Sequence, residues 1–214
     1  MSHPHEQTGN VYHNARTEGQ ASEPAEMKRF LDATDGVLAQ AAELARVVTS
    51  AHQGAATQMM GGDWSHARKY FSLSQKYAAW ADYRTPAVGF GIHAYLGEVN
   101  QPMRLTQAEL VAHPAWRNFG VESGRHPPMR GWLAVPLIGA DGLNYGLIQV
   151  SDRYEGDFIA EDEANLVRLA KLTAQALDAL AMVYFADYRE RWAHATPLPP
   201  DNADALDPDS GVGS

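Results

Sequence analysis

Cysteine is absent from the 214 residues, which removes disulfides, thiolate metal sites and every thiol nucleophile together. Basic charge is scarce: 17 Lys and Arg stand against 26 Asp and Glu, a formal net charge of -9. An autonomous nucleic-acid binder draws most of its affinity from Lys and Arg neutralising phosphates, so nucleic acid is not an expected partner. Long apolar runs are missing too. No stretch of about 18 apolar residues occurs, and residues 1–25 have no apolar segment behind a basic start. Neither a membrane span nor a signal peptide is predicted, and a cytoplasmic location is expected. There is no HExxH pair, no P-loop and no Ser, His, Asp order of a hydrolase, so the sequence points to a binding or regulatory protein without catalytic residues.

The charge that is present is unevenly placed. Asp201 to Ser214 holds four Asp and no Lys or Arg, and residues 1–26 hold four Glu against one Arg, leaving the middle of the chain near neutrality. With 45% hydrophobic residues, one domain with a sizeable core and two tails is the natural division: a disordered tail over 1–26, a single domain over 27–192, and a Pro- and Asp-rich tail over 193–214.

Within the domain, Thr34 or Asp35 is placed to cap a helix reaching Ser50, with Val37, Ala41, Leu44 and Val48 on its apolar face. His52 to Met60 reads as a first strand, stopped by Gly61-Gly62-Asp63, and Tyr70 to Leu73 as a second. A helical turn is expected over 74–80, a short helix over 92–99, a strand over 103–105, and a capping box at Thr106 and Glu109 that starts another short helix. His113-Pro114 ends it. Trp132 to Ile138 and Tyr145 to Ser151 flank the turn signal Asp141-Gly142 and should pair antiparallel. From Ala160 a long helix is expected to about Trp192, with Leu166, Leu169, Leu172, Thr173, Ala176, Leu177, Leu180 and Tyr184 as its apolar stripe.

The stretch Met129 to Leu166 carries a recognisable pattern. After the second strand of the hairpin comes Asp152-Arg153, then Phe158, three residues, and Asp162-Glu163 opening the helix. This resembles the C-terminal half of a GAF domain, with Asp152-Arg153 standing where the phosphodiesterase branch has Asn-Lys. A weaker likeness, to the GAF domains of bacterial sensor histidine kinases, runs back through Tyr77-Ala78-Ala79-Trp80, Gln101 to Leu110 and His113 to Trp116. The resemblance implies an α+β fold related to PAS domains: an antiparallel sheet with terminal helices on one face and loops and short helices on the other. It also implies that Arg153 pairs with Asp162, and that Arg153, Phe158, Asp162 and Glu163 brace the sheet against the last helix. In the family, small molecules sit between the sheet and the short helices. Bilin-attaching photoreceptors and free methionine sulfoxide reductases of this fold use thiols, which this chain lacks.

Candidate pocket residues follow from strand alternation and from aromatic content. Leu147, Gln149 and Ser151 share one face of the last strand, so Gln149 and Ser151 are candidates for hydrogen bonds to a ligand. Partners supplied by a neighbouring loop are the alternative. Tyr77, Trp80, Tyr83, Tyr95, Trp116 and Trp132 are candidate lining residues, each also explicable as core, with Arg104, Arg117 and Arg130 near them for an anionic group. His3 and His5 offer only adventitious metal binding, and His93 or His113 would serve as the axial ligand in a less favoured haem reading. No cofactor is required. The expectation is a sensory module that binds an unidentified small molecule, dimerises through its terminal helices and signals in trans, in the manner of two-component systems, to a separate histidine kinase or other protein. The competing expectation is a filled GAF scaffold that acts only in protein interaction.

Overall fold

The computed structural model describes residues 25–60, 63–81, 91–117 and 126–195. The order of elements is α1 (Ala25–Val48), β1 (Ala51–Met60), β2 (Asp63–Leu73), a 3-10 turn (Gln75–Trp80), α2 (Ile92–Val99), β3 (Met103–Leu105), α3 (Gln107–Ala112), β4 (Trp132–Ile138), β5 (Asn144–Arg153) and α4 (Ala160–Ala195). The strands form one antiparallel sheet in the order β2-β1-β5-β4-β3. Most of the two expected tails, and Tyr83, lie outside the described residues.

Helix α1 starts about ten residues before the caps expected at Thr34 and Asp35. Both residues are instead buried in mid-helix with partners that replace capping. Thr34 Oγ1 donates back to the carbonyls of Phe30 (3.0 Å) and Leu31 (2.9 Å), and the Asp35 carboxylate receives the Tyr70 hydroxyl and the Arg68 guanidinium from β2. The buried face is Leu38, Ala41, Ala42 and Ala45. Of the expected stripe, Leu44 and Val48 are exposed at 47% and 44%, because small residues set how closely α1 approaches β1. At Gly54 a Cβ would lie 2.3 Å from the Ala42 carbonyl oxygen, so only glycine lets the helix backbone rest on the strand. Gly146 (φ 142°) plays the same part between β5 and β1, where a Cβ would meet the Thr57 carbonyl.

Helix α4 lies antiparallel to α1, with the Phe30 and Tyr184 rings stacked at 4.9 Å. Leu166, Ala170, Thr173, Ala174 and Leu177 are buried at spacings of three and four, whereas Leu172, placed in the expected stripe, is 64% exposed. At 1.5 Å per residue the 36-residue helix is about 54 Å long. Leu38, Tyr70, Leu133, Val135, Leu137, Ile148, Val150, Phe158 and Leu166 join the core between helices and sheet. Each fully buried leucine or isoleucine there contributes about 1.5–3 kcal/mol. A second cluster fills the opposite, distal face: Ile92 and Leu96 from α2, Leu110 from α3, and Met129, Trp132, Ala134 and Leu147. The ranges of α2 and β3 are those expected, and the Thr106–Glu109 capping box is formed. The hairpin tip is tied to α4, where Asp178 accepts from Ala140 N (2.9 Å) and from the Tyr145 hydroxyl (2.7 Å).

Candidate ligand chamber

Strand alternation decides what faces the distal layer. Across β2, β1 and β5, register sets Phe71 opposite Ala55 and Ala55 opposite Gln149; the next row is Lys69, Thr57 and Leu147. Ala55 is the smallest side chain of its row, so it forms a low floor between the Phe71 ring and the Gln149 amide. His126 and Met129 close over this recess from the segment before β4, and Gln53 borders it. About 10 Å³ within it is reachable by a water-sized sphere, the room of a single water molecule.

The polar groups around the floor are fixed in orientation. Trp132 Nε1 donates to Gln149 Oε1 at 3.0 Å, and since an indole can only donate, the Gln149 oxygen must face it. His93 Nε2 lies 2.6 Å from the same oxygen and therefore carries a proton toward it. Gln53 Nε2 donates to the Pro128 carbonyl (2.6 Å), and Ser151 Oγ donates to the Gly131 carbonyl while accepting from Arg130 N, both at 3.1 Å. The Ser151 hydroxyl is thus spent on the segment just before β4. The Gln149 side chain is only 8% exposed, and its NH2 group has no hydrogen-bond partner among the described residues.

The electrostatics are those of a cationic recess. Burial pushes the Lys69 amine down to about 8, and its ammonium lies 4.7 Å from the centre of the Phe71 ring. Burial first, and then the Lys69 charge, lowers His93 to about 3 and His126 to about 4, so both imidazoles are neutral near pH 7. His126 Nδ1 donates to the Pro127 carbonyl at 2.5 Å.

No family model and no curated protein matches the sequence. Solved structures do match in shape. A cyanobacteriochrome GAF domain, that of TePixJ, superposes with a TM-score of 0.52 at 12% identity over 67% of this chain and 88% of that one. A free methionine-R-sulfoxide reductase from Neisseria meningitidis, solved with its substrate, gives 0.52 at 17% identity over 74% and 87%. A red/green cyanobacteriochrome in its red-light-absorbing state gives 0.52 at 11% identity over 70% and 97%. The fold is that of a GAF domain.

In this GAF fold the residues singled out from sequence fall into three groups. Gln149 and Ser151 line the chamber, and Trp132 is fully buried behind Gln149, to which it donates. Tyr77 and Trp80 stand apart at the 3-10 turn, with ring centres 5.5 Å from each other. The Tyr77 hydroxyl donates to Asp152 at 2.5 Å; burial, then this bond, raises it to about 12. Lys76 holds the same carboxylate at 2.5 Å. Tyr95 is exposed and packs edge-on against His113 (4.9 Å), while Trp116 is half-buried against the distal cluster.

None of the three arginines proposed for an anionic ligand fills that place. Arg104 pairs with Glu163 (2.9 Å) and donates to the Phe158 carbonyl, Arg117 donates to the Pro114 carbonyl, and the Arg130 side chain is exposed. Their nearness in sequence was no guide, because each sits where its strand or loop meets another element. The cation nearest the chamber is Lys69, which does not line the recess itself but sets its ammonium against the Phe71 ring in the wall. It directly precedes the expected strand Tyr70 to Leu73, within the longer β2 of the structure; extending the period-two pattern backward from Phe71 places it on the same face. His126 and Gln53 were likewise passed over.

The family-like motif forms a joint between β5 and α4. Arg153 Nε lies 2.9 Å from Asp162 Oδ2, which also accepts from Ile159 N at 2.9 Å and so caps the start of α4. Phe158 is buried in the helix-side core. Among the described residues no group of three or more His, Asp or Glu is gathered to hold a metal, and no helix is long and apolar enough to cross a membrane.

Proposed function

We propose that this chain is a sensory GAF module that binds a small molecule between its sheet and distal layer and reports occupancy through α1 and α4. One observation carries the reading: a nine-tenths buried amide, Gln149, held in one orientation by Trp132 and His93, keeps its NH2 group unpaired toward a recess with a low Ala55 floor. The NH2 group is reached from the recess and not sealed off, since among the described residues Gln58 Oε1 is the one fully buried side-chain polar atom without a partner, so a molecule entering the recess can accept from it. The proposed unit spans residues 27–192 and works in the cytoplasm as a homodimer, as in two-component signalling, with a histidine kinase or other signalling protein as partner. Thiol chemistry is outside its reach, since no cysteine is present. Haem is not favoured, because His93 Nε2 is engaged by Gln149.

A second reading, an interaction scaffold with a filled cavity, draws support from the small free space above Ala55 and from the internal partners of Ser151 and Gln53. Thermal-shift screening of the purified apo protein against nucleotides, amino acids, aromatic compounds and haem separates the two. A ligand that binds only the native state at a hundred times its Kd stabilises it by about 2.7 kcal/mol. A rise of several degrees with at least one compound class is expected. A flat response to all of them would leave the scaffold reading in place.

A further inference from the structure

We propose that the distal chamber takes a small carboxylic acid in its anionic form, the carboxylate lying over Ala55 between the Lys69 ammonium and the Gln149 amide. This rests on the reading of the chamber as a ligand site and goes further by naming the ligand's chemistry. The geometry comes from the sheet. Phe71 and Gln149 stand in one row on either side of Ala55, so their Cα atoms are about 9.6 Å apart, two strand spacings. Lys69 is one row away on β2 and leans along the strand until its ammonium lies 4.7 Å from the Phe71 ring centre. Its charge is therefore carried toward the row that holds Phe71, Ala55 and Gln149, whose NH2 group is unpaired. Two donors on the two sides of a low floor fit a planar, two-oxygen acceptor.

The choice of a monoanion follows from the charge balance. Among the described residues Lys69 makes no ion pair, and no Asp or Glu stands in its rows of the sheet. The groups that meet it from the opposing layer are His93 on α2 and His126 before β4, both held neutral. Lys69 is half-buried, and a partly desolvated positive charge without a counter-ion among the described residues is offset by a single negative charge. A phosphate dianion would leave its second charge facing neutral imidazoles in a site without arginine. So small a recess also disfavours a nucleotide.

The test titrates the full-length protein with acetate, pyruvate and benzoate, with acetamide and benzamide as neutral counterparts, and with inorganic phosphate. Affinity is read by calorimetry and by melting temperature. The expectation is that at least one carboxylate binds ten-fold or more tightly than its amide and than phosphate. Binding should weaken at least ten-fold in Lys69→Met and in Gln149→Leu, and should fall between pH 7 and pH 9 as Lys69 loses its proton. Lys69→Met removes a desolvated charge, so that variant should melt at or above the wild-type temperature, which keeps the comparison free of folding defects. Equal binding of acid and amide, preference for phosphate, or carboxylate binding unchanged in Lys69→Met overturns the proposal. If neutral aromatics or nucleotides bind while no carboxylate does, the carboxylate proposal falls and the sensor reading stands. If nothing binds, both fall.

Discussion

The contact between α1 and β1 gives the sharpest test of the fold, because two glycines nearby should respond to alanine with opposite signs. At Gly54 the added Cβ would stand 2.3 Å from the Ala42 carbonyl oxygen, where ordinary contact begins at 3.4 Å, so helix and strand must separate by about 1 Å. The obstacle is backbone, and it cannot rotate aside. Leu38, Ala41, Ala42 and Ala45, which pack the helix down, are all 3% exposed or less, so separation opens gaps along the whole seam. Overpacking of this kind costs about 1–3 kcal/mol, and the obstruction here belongs at the upper end. Against this, replacing glycine by alanine gains about 0.5–1 kcal/mol through the reduced entropy of the unfolded chain. The net loss is about 2 kcal/mol, which for a domain of this size lowers the melting temperature by about 4–8 °C. Gly36, inside α1, has no heavy atom within 4 Å of the added Cβ, so only the propensity term acts there. Gly36→Ala should gain about 0.8–1 kcal/mol and melt about 2–4 °C higher. Melting followed by circular dichroism and by calorimetry measures both. A Gly54→Ala protein that melts at or above wild type would refute the close approach of α1 to β1.

Gln149→Leu removes the acceptor shared by Trp132 and His93 and leaves two buried N–H groups unpaired; at about 1–3 kcal/mol for each orphan, the loss should reach about 2–4 kcal/mol in denaturant unfolding, and a loss under 0.5 kcal/mol would contradict the network. His93 and His126 have folded-state values of about 3 and about 4, below the 6.5 of the unfolded chain, so between those values the unfolded state holds more protons. Their stabilising contribution is complete above pH 6.5 and is lost as the pH falls, with a slope of up to about 1.4 kcal/mol per pH unit for each histidine. Unfolding measured from pH 7.5 to 4.5 should show that slope, and His93→Gln should remove about half of it; identical profiles would exclude a buried neutral His93. For the proposed dimer, light scattering should give twice the monomer mass, and Leu172→Glu with Met182→Glu, at positions 64% and 72% exposed on α4, should return it to a monomer without lowering the melting temperature. A wild-type monomer at high micromolar concentration would contradict the dimer.

The turns and helix starts were legible because their signals are local. The Thr106–Glu109 capping box, the Asp141-Gly142 turn and the Phe158-to-Asp162 spacing depend on residues a few positions apart, and each lies where it was expected. What misled were residues whose partners are distant in the chain. Thr34 and Asp35 read as caps because nothing local reveals Tyr70 and Arg68, 35 and 34 to 33 positions away, which occupy Asp35 in mid-helix. The buried face of α1 was misplaced for a related reason. Large apolar residues mark one face of α1 in the sequence, but the seam with β1 is built from alanines so that the helix backbone can reach Gly54. Lys69 is hard to read from sequence because Arg68-Lys69, two charges directly before the apolar Tyr70-Phe71, have the pattern of a strand's end. A half-buried lysine breaks the hydrophobic pattern at the place where it is informative.

The two faces of the sheet are one residue apart, and this bears on how the proposed module would signal. Ala55 is the floor of the chamber; its neighbour Gly54 is the point where the α1 backbone rests on β1. On β5, Gln149 faces the chamber, while Ile148 and Val150 on either side pack into the core under α1 and α4. Between floor and helix there is no flexible side chain to absorb a displacement, since glycine has none and Ala42 meets it with backbone. A ligand that pressed on Ala55 or drew Gln149 inward would therefore shift the seat of α1 directly. Occupancy could change the arrangement of α1 and α4 only by the difference in affinity between two such seats. Gly54→Ala, which forces those elements apart by about 1 Å without touching the chamber's polar groups, mimics one of the two. It should alter carboxylate affinity and the dimer equilibrium together if chamber and helices are coupled, and stability alone if they are not.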